Sequence, residues 1–349
     1  MDAMSLRGEL PSGEGTLTFW HIPTLLYTLD LLVRHRYFFW FFESRRDPRN
    51  DPTVIWLNGG PGASSMIGLF FENGPCKLNS NGTGTIFNKY SWNNVANIMW
   101  VDQPGATGFS EGNVSNPEGY SKSMHSFLVK FFTDNPQYNK NVFLTGQSYA
   151  GSFIPSITDE ILRRNKDPCS FVVNIKGVAI GNGWTNPNET HNAYPDIILA
   201  TKPEITREMA FRKRLSDRQH APQQLEGFLN DGAVQRKLGV NKTFRVQNYQ
   251  VLIYDGELDY ICNWIGNKRW VLNLEWEGKE EMRTKHDSEY SNQCYVPDGP
   301  IGRIRGVTLK NEGQLIYLKA HNAGHFFPFD RPEASLVMID DFLQNRLPI

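Results

Sequence analysis

The sequence is short of several things, and each shortage removes a class of protein. Its four cysteines, Cys76, Cys169, Cys262 and Cys294, are too few for a disulfide scaffold and lack the close CxxC pairing of a zinc site. They permit one or two disulfides and specify none. Charge of neither sign is in excess, with 36 Lys and Arg against 37 Asp and Glu. That balance argues against a broad basic surface for nucleic acid and against an acidic disordered tail, so the expected partner is a small molecule or a peptide. Low-complexity segments and repeats of solenoid period are absent. A Gly-rich turn at Asn58-Gly59-Gly60-Pro61-Gly62 lacks a following GK[ST], and no GxGxxG occurs, so no nucleotide site is expected. No metal or organic cofactor is expected either.

A long apolar run is nearly present. Residues 17–34 (TLTFWHIPTLLYTLDLLV) approach the length of a membrane span, but His21, Pro23 and Asp30 interrupt them. A central Asp costs roughly 3 kcal/mol there, so a buried strand-and-helix segment is expected instead of stable membrane insertion. Asp2, Glu9 and Glu14 replace the positive cluster that opens a secretory signal, which makes residues 1–36 an atypical N-terminal segment. Asn-x-Ser/Thr sequons at Asn81, Asn113, Asn188 and Asn241 nevertheless lean towards a secreted glycoprotein.

What the sequence does have is a rhythm. Short apolar runs recur at Thr53–Leu57, Ala96–Val101, Asn141–Thr145, Asn174–Ile180, Tyr249–Tyr254 and Gln314–Leu318, each bounded by Gly, Asn or Asp. Both faces of each run are apolar, as in fully buried strands. Helical patterns lie between them, notably Tyr120–Phe132, Ile154–Arg164 and Pro332–Gln344. Alternation of this kind predicts an α/β fold with a mostly parallel sheet covered by helices on both faces. The charged stretch from about Ile198 to Gln247, with a weak helical pattern around Leu225–Leu238, reads as an insertion or cap.

Gly146-Gln147-Ser148-Tyr149-Ala150 ends one of these strands and precedes a helix. A nucleophile elbow needs small residues two positions either side of the Ser, because the tight turn brings those backbones together, and Ala150 meets that need. A Ser also needs a base and a carboxylate to orient it, placed later in the chain in the order acid, then His. Glu257 and Asp259 follow one strand, and His321 and His325 follow another, so the order is satisfied with two candidates for each role. The turn at Asn58–Gly62 can point backbone amides at a developing oxyanion, with the amide of Tyr149 as second donor.

With these residues in view, the chain resembles the serine carboxypeptidase family from about Tyr37 to its C-terminus. The stretches that carry the resemblance are FFWFFESRRDPRNDPTVIWLNGGPGASS, VDQPGATGFS, LTGQSYAGSFIP, VAIGNGWTNP, YDGELDYICNWIGN and HNAGHFFPFDRPEASL. The resemblance implies one α/β-hydrolase domain over 1–349 that releases C-terminal residues from peptides through an acyl-enzyme, without a cofactor. It also implies the secretory pathway, vacuolar, lysosomal or extracellular, and leaves the oligomeric state open. Carried over, the catalytic residues fall on Ser148, Asp259 and His325, which leaves Glu257 and His321 as neighbours. The oxyanion donors fall on the amides of Gly60 and Tyr149. Recognition of the substrate's C-terminal carboxylate falls on Asn58, Gly59, Glu72 and the residue before the nucleophile, normally Glu and here Gln147. Two close carboxylates facing a third must share protons, which ties binding to acid pH, whereas an amide donates at any pH. A weaker penalty towards neutral pH is therefore expected of this chain.

Two other departures are visible, with one further match beside them. The family's GGPGCSS, whose Cys is in a disulfide, has Ala63 here, so that bridge cannot form. Cys262 matches a Cys commonly left unpaired near the catalytic centre. A disulfide-bearing insertion between the family's fifth and sixth core strands corresponds to about 201–247, a reduced cap in this chain. Two further readings keep the fold and change the role. A carboxypeptidase-like acyltransferase would carry GDSYSG at the elbow, which GQSYAG does not match, and a non-catalytic relative would have lost one of three separate triad residues.

Overall fold

The structure is a computed structural model that describes residues 36–79, 85–112, 117–201, 250–310 and 312–349, together with the backbone of the strands Leu6–Ser12, Gly15–His21 and Tyr27–Thr28. All six apolar runs are strands, and they form the parallel centre of one sheet. In chain order its nine strands are β1 (Phe39–Phe42), β2 (Thr53–Leu57), β3 (Asn97–Val101), β4 (Val142–Ser148), β5 (Ile175–Gly183), β6 (Gln250–Gly256), β7 (Ser288–Tyr290), β8 (Gly302–Thr308) and β9 (Gln314–Ala320). They lie in the order β7-β8-β9-β6-β5-β4-β2-β3-β1. From β9 to β3 every pairing is parallel, while β7, β8 and β1 add antiparallel edges.

Alternate residues of the central strands serve two different cores. Ile55, Leu57, Met99, Val101, Leu144, Ile253 and Tyr317 meet the helices α1 (Pro117–Asp134), α2 (Ala150–Arg164) and α3 (Trp264–Asn273) on one face. Val54, Trp56, Ile98, Trp100, Phe143, Leu252, Ile316 and Leu318 meet α4 (Pro332–Leu343) on the other. This two-sided burial is why the strands read as unbroken apolar runs. The helices α1, α2 and α4 cover the three expected helical patterns.

The antiparallel edge strands have a different signature. β8 carries Arg303 and Arg305, and Arg305 is buried only because Asp287 and the Met282 carbonyl receive its guanidinium at 2.6 and 2.9 Å. A strand that buries a paired arginine does not look apolar in sequence.

Chain order reverses between β2 and β4: the chain runs outward from β2 to β3, then returns to β4 and proceeds through β5 and β6 to β9. Such a switch point opens a crevice beyond the carboxyl ends of the parallel strands, where sheets of this kind bind ligands. The loops after β2, β4, β5, β6 and β9 all emerge there.

Part of the sequence reading lies outside the described residues: the reduced cap from residue 202 to 247, its helical pattern around Leu225–Leu238, and the sequons at Asn81, Asn113 and Asn241. Within the interrupted apolar run, strand backbone covers Gly15–His21 and Tyr27–Thr28. Among the described residues no helix is long and apolar enough to cross a membrane.

Candidate active site

Ser148 ends β4 with φ +59°, a left-handed conformation that a non-glycine residue holds at a cost of about 1–3 kcal/mol. The turn is closed by the Trp184 amide, which donates to the Ser148 carbonyl at 2.8 Å. Small residues around it are a steric necessity. A Cβ on Gly146 would stand 2.2 Å from the Leu57 carbonyl oxygen and 2.9 Å from the Ala150 Cβ. The turn after β2 packs directly on the elbow, since a Cβ on Gly59 would meet the Tyr149 nitrogen at 2.3 Å. Gly60, with φ +109°, follows. The structure thus brings the expected oxyanion segment and the expected nucleophile together.

His325 and Asp259 meet at the same end of the sheet. The His325 Nδ1 stands 2.7 Å from Asp259 Oδ2, which also accepts from Asn182 Nδ2 at 2.8 Å. Asp259 Oδ1 accepts from the amides of Ile261 and Cys262 at 2.9 and 3.2 Å. Burial opposes a charge on His325, but the hydrogen bond and charge of Asp259, joined by the charge of Glu72, outweigh it and raise the imidazole pKa. The Cys262 thiol completes the cluster, within hydrogen-bonding reach of the Ser148 hydroxyl, and burial with the nearby Asp259 and Asp255 charges pushes it up. A carboxylate, a thiol and an imidazole thus converge with their donor atoms within 4.8 Å of one another. Both Asp259 oxygens already carry two donors each, so the set does not fit a cation.

Beside the elbow lies a second group of buried polar side chains. Glu72 Oε1 accepts from Gln147 Nε2 at 2.7 Å and from Asn58 Nδ2 at 3.3 Å. Asn58 is held in that orientation because its Oδ1 accepts from Trp56 Nε1 at 2.7 Å and the Gly68 amide at 3.2 Å. Glu72 Oε2 is buried without a hydrogen-bond partner among the described residues. Burial is the largest influence on this carboxyl and raises its pKa from 4.5 to about 7, against the opposing effects of Asn58, His325, Gln147 and Lys77.

Glu257 and His321, the other carboxylate and imidazole in these loops, bind each other: His321 Nδ1 lies 2.8 Å from Glu257 Oε2. Asn182 was not singled out in the sequence. Its signal was a polar residue at the very end of the apolar strand VAIGNG, where φ is +45°.

Against known proteins, the serine carboxypeptidase family model matches residues 28–213 and 243–345. The chain belongs to the serine carboxypeptidase family. Serine carboxypeptidase 3 of Oryza sativa subsp. japonica is 34% identical, with 97% of this chain and 81% of that protein aligned. Serine carboxypeptidase-like 47 of Arabidopsis thaliana is 33% identical over 92% of this chain and 78% of its own length. That alignment runs over 404 residues, more than the 349 of this chain, so the relative carries segments that this one lacks. Among solved structures, a prohormone-processing carboxypeptidase from Saccharomyces cerevisiae, Kex1(delta)p, superposes with a TM-score of 0.71 at 21% identity, covering 96% of this chain and 94% of its own. The fold is therefore that of the α/β hydrolases, as the strand order and elbow indicate.

All four cysteines are free; Cys76 and Cys262 are buried, and Cys169 and Cys294 are exposed. Of the four sequons only Asn188 lies within the described residues. It is half-buried in the short helix Pro187–Asn192, with its Thr190 fully buried.

Proposed function

We propose that this chain is a serine-type carboxypeptidase that removes C-terminal residues from peptides through an acyl-enzyme on Ser148. The observation that carries the reading is the Asp259–His325 pair at 2.7 Å beside a serine held in the left-handed elbow. Ser148 Oγ attacks the carbonyl of the last peptide bond while His325 takes its proton. The new oxyanion accepts from the amides of Gly60 and Tyr149, which is the geometry that stabilises charge developing in the transition state. His325 then passes the proton to the departing amine as the C–N bond breaks. Water, deprotonated by the same imidazole, hydrolyses the ester and restores the hydroxyl. Asp259 keeps the ring oriented and faces the imidazolium that forms.

Exopeptidase selectivity follows from the second polar group. Asn58 Nδ2 and Gln147 Nε2 are donors, and Glu72 becomes a third when it is protonated, through the Oε2 that has no other partner. Three donors in a buried pocket suit the carboxylate of a peptide's end and reject an internal bond. The Gly59 backbone packs beside them, where a Cβ would stand 2.9 Å from the Gln147 carbonyl oxygen.

Labelling with a fluorophosphonate tests the nucleophile, since only an activated serine reacts. Wild type should label and Ser148→Ala should not. Cleavage of a blocked dipeptide should then exceed that of its C-terminal amide. Equal rates on the free acid and the amide, or turnover that survives Ser148→Ala, would remove the proposal. The sequons support passage through the secretory pathway, which a mobility shift on endoglycosidase treatment would reveal.

A further inference from the structure

The two loops that carry His325 and Asp259 are tied together by a residue with no part in the proton transfers. Glu257 begins the loop after β6, and its carboxylate reaches across to the loop after β9. Oε1 accepts the Asn322 amide at 2.8 Å, Oε2 faces His321 Nδ1 at 2.8 Å, and Lys319 Nζ lies 3.7 Å from Oε2. The backbones are joined at the same place, with the Glu257 amide donating to the Ala320 carbonyl at 3.0 Å and the Leu258 amide to that of Ala323 at 2.9 Å. So close is the approach that a Cβ on Gly256 would stand 2.2 Å from the Gly324 oxygen.

The segment braced in this way needs restraint. Asn322 holds φ +54°, outside the range in which L residues rest easily. Its far side is fixed by Asp330, whose Oδ2 accepts the Gly324 amide at 2.7 Å, and by Arg331, whose Nη1 donates to the His321 carbonyl at 3.0 Å. On the near side the two backbone bonds to Ala320 and Ala323 flank the strained residue, the Glu257 carboxylate takes the Asn322 amide itself, and His325 lies three residues on. The Glu257 side chain belongs to neither apolar core, so removing it opens no cavity there.

We propose that Glu257 is a positioning residue: it braces the His325 loop against the strand end that carries Asp259 and so holds His325 in register with Asp259 and Ser148. The proposal rests on the reading of Ser148 and His325 as the reacting pair. The groups that face the His325 ring are Asp259, Glu72 and Cys262, and only the first is close enough to set its orientation. A loop that drifts loses that hydrogen bond first. The same contacts hold Glu257 ionised: burial raises its pKa, and the Asn322 amide, His321 and Lys319 together overcome it and lower it.

The test compares wild type with Glu257→Ala, Glu257→Gln and His321→Ala through two measurements. One is the rate at which a fluorophosphonate labels Ser148. The other is the NMR titration of the His325 ring, assigned by its loss in His325→Gln. Glu257→Ala should label roughly ten to a hundred times more slowly, as displacement of a catalytic group by about 1 Å does. In the same variant His325 should titrate closer to the ordinary value of about 6.5, with KM for a blocked dipeptide unchanged. Glu257→Gln, whose carbonyl still accepts from Asn322, should retain most of both properties, and His321→Ala should move both in the same direction by less. A folded Glu257→Ala protein with wild-type labelling and a wild-type titration overturns the proposal. Should that variant fail to fold, His321→Ala decides by the same two readings. If wild type does not label at all, the assignment of Ser148 falls, and the titration alone judges the brace.

Discussion

Gln147→Glu is the substitution whose consequence can be worked furthest. In the present site one carboxyl, Glu72, is buried with a pKa of about 7 instead of 4.5, which amounts to about 3 kcal/mol of discrimination against its charged form. At pH 6 it is mostly neutral, and a peptide carboxylate meets donors only. Placing a second carboxyl where Gln147 Nε2 now stands, 2.7 Å from Glu72 Oε1, makes the two share a proton, and the pair then titrates in two coupled steps. The first proton leaves at a lower pH than Glu72 loses its own in wild type, so at pH 6 the variant already carries a negative charge facing the substrate's. Two charges about 4 Å apart repel by about 4 kcal/mol at an effective dielectric of 20, an upper bound on the loss in affinity.

The assay is kcat/KM for a blocked dipeptide from pH 4 to 8, which reports the protonation of the free enzyme, with the same peptide amide as control. Both substrates need neutral His325 and lose rate together as it protonates at low pH, so the ratio of the free-acid to the amide rate isolates Glu72: in wild type it should hold up to about pH 7 and fall above it as Glu72 ionises. In Gln147→Glu the fall should begin at least one pH unit lower, with KM up by about tenfold or more at pH 6 and the amide substrate little affected. Stability follows the same sign. The folded state keeps a proton that the unfolded chain gives up above about pH 4.5, so wild type loses up to about 3 kcal/mol between pH 4.5 and 7. The variant should lose more over that range in urea titrations. Superimposable pH profiles for the two proteins would refute the reasoning.

Three other outcomes are expected. Asp259→Asn keeps the size of the side chain but can present an amide to His325 Nδ1, so kcat should fall about 10⁴-fold; a loss under tenfold would dismiss Asp259 as the orienting group. Gly59→Ala pushes a Cβ to 2.3 Å from the Tyr149 nitrogen, so the elbow must move and fluorophosphonate labelling should nearly cease while the far-UV circular dichroism stays native; wild-type labelling would contradict the packing. Asp255, wholly buried with Asn267 Nδ2 at 2.7 Å from Oδ1, has its pKa raised well above 3.8, chiefly by burial. Because the folded state holds that proton, wild-type stability falls as pH climbs past about 3.8. Asp255→Asn should therefore raise Tm more at pH 7.5 than at pH 4.5, and an equal change at both would count against a neutral Asp255.

The parallel centre of the sheet was legible because nearly all the apolar residues of those strands, from Val54 to Leu318, serve a core on one face or the other, with few exposed interruptions such as Lys176. The edges were not, because β8 buries Arg305 by pairing it with Asp287, a residue distant in sequence that no periodicity announces. The elbow was legible as a local pattern of small residues. The acid and base were legible only as pairs, Glu257 or Asp259 and His321 or His325, and separation alone still does not sort them. Both imidazoles sit 2.7–2.8 Å from a carboxylate. What separates them is surroundings: Asp259 is buried against Asn182 and Cys262 beside the elbow, while Glu257 is half-exposed and spans two loops.

The same consideration sorts the buried carboxyls of the site, which look alike in the chain. Asp259 has four donors, two on each oxygen, from Asn182, His325 and the amides of Ile261 and Cys262. That is the supply an anion needs in order to face an imidazolium without water. Glu72 has both its donors on one oxygen and none on the other, so burial wins and it keeps a proton to offer to a peptide's end. Donor count, not residue type, assigns the roles, and Asp259 draws its donors from its own loop, from the end of β5 and from the loop after β9. Gln147 is where the two readings meet, because it supplies the stronger of Glu72's two hydrogen bonds from the position beside Ser148. Exchanging that one amide for a carboxyl changes the proton count of the pocket while Ser148, Asp259 and His325 keep their side chains, so a loss at higher pH on the free acid that the peptide amide does not share separates recognition from chemistry in a single protein.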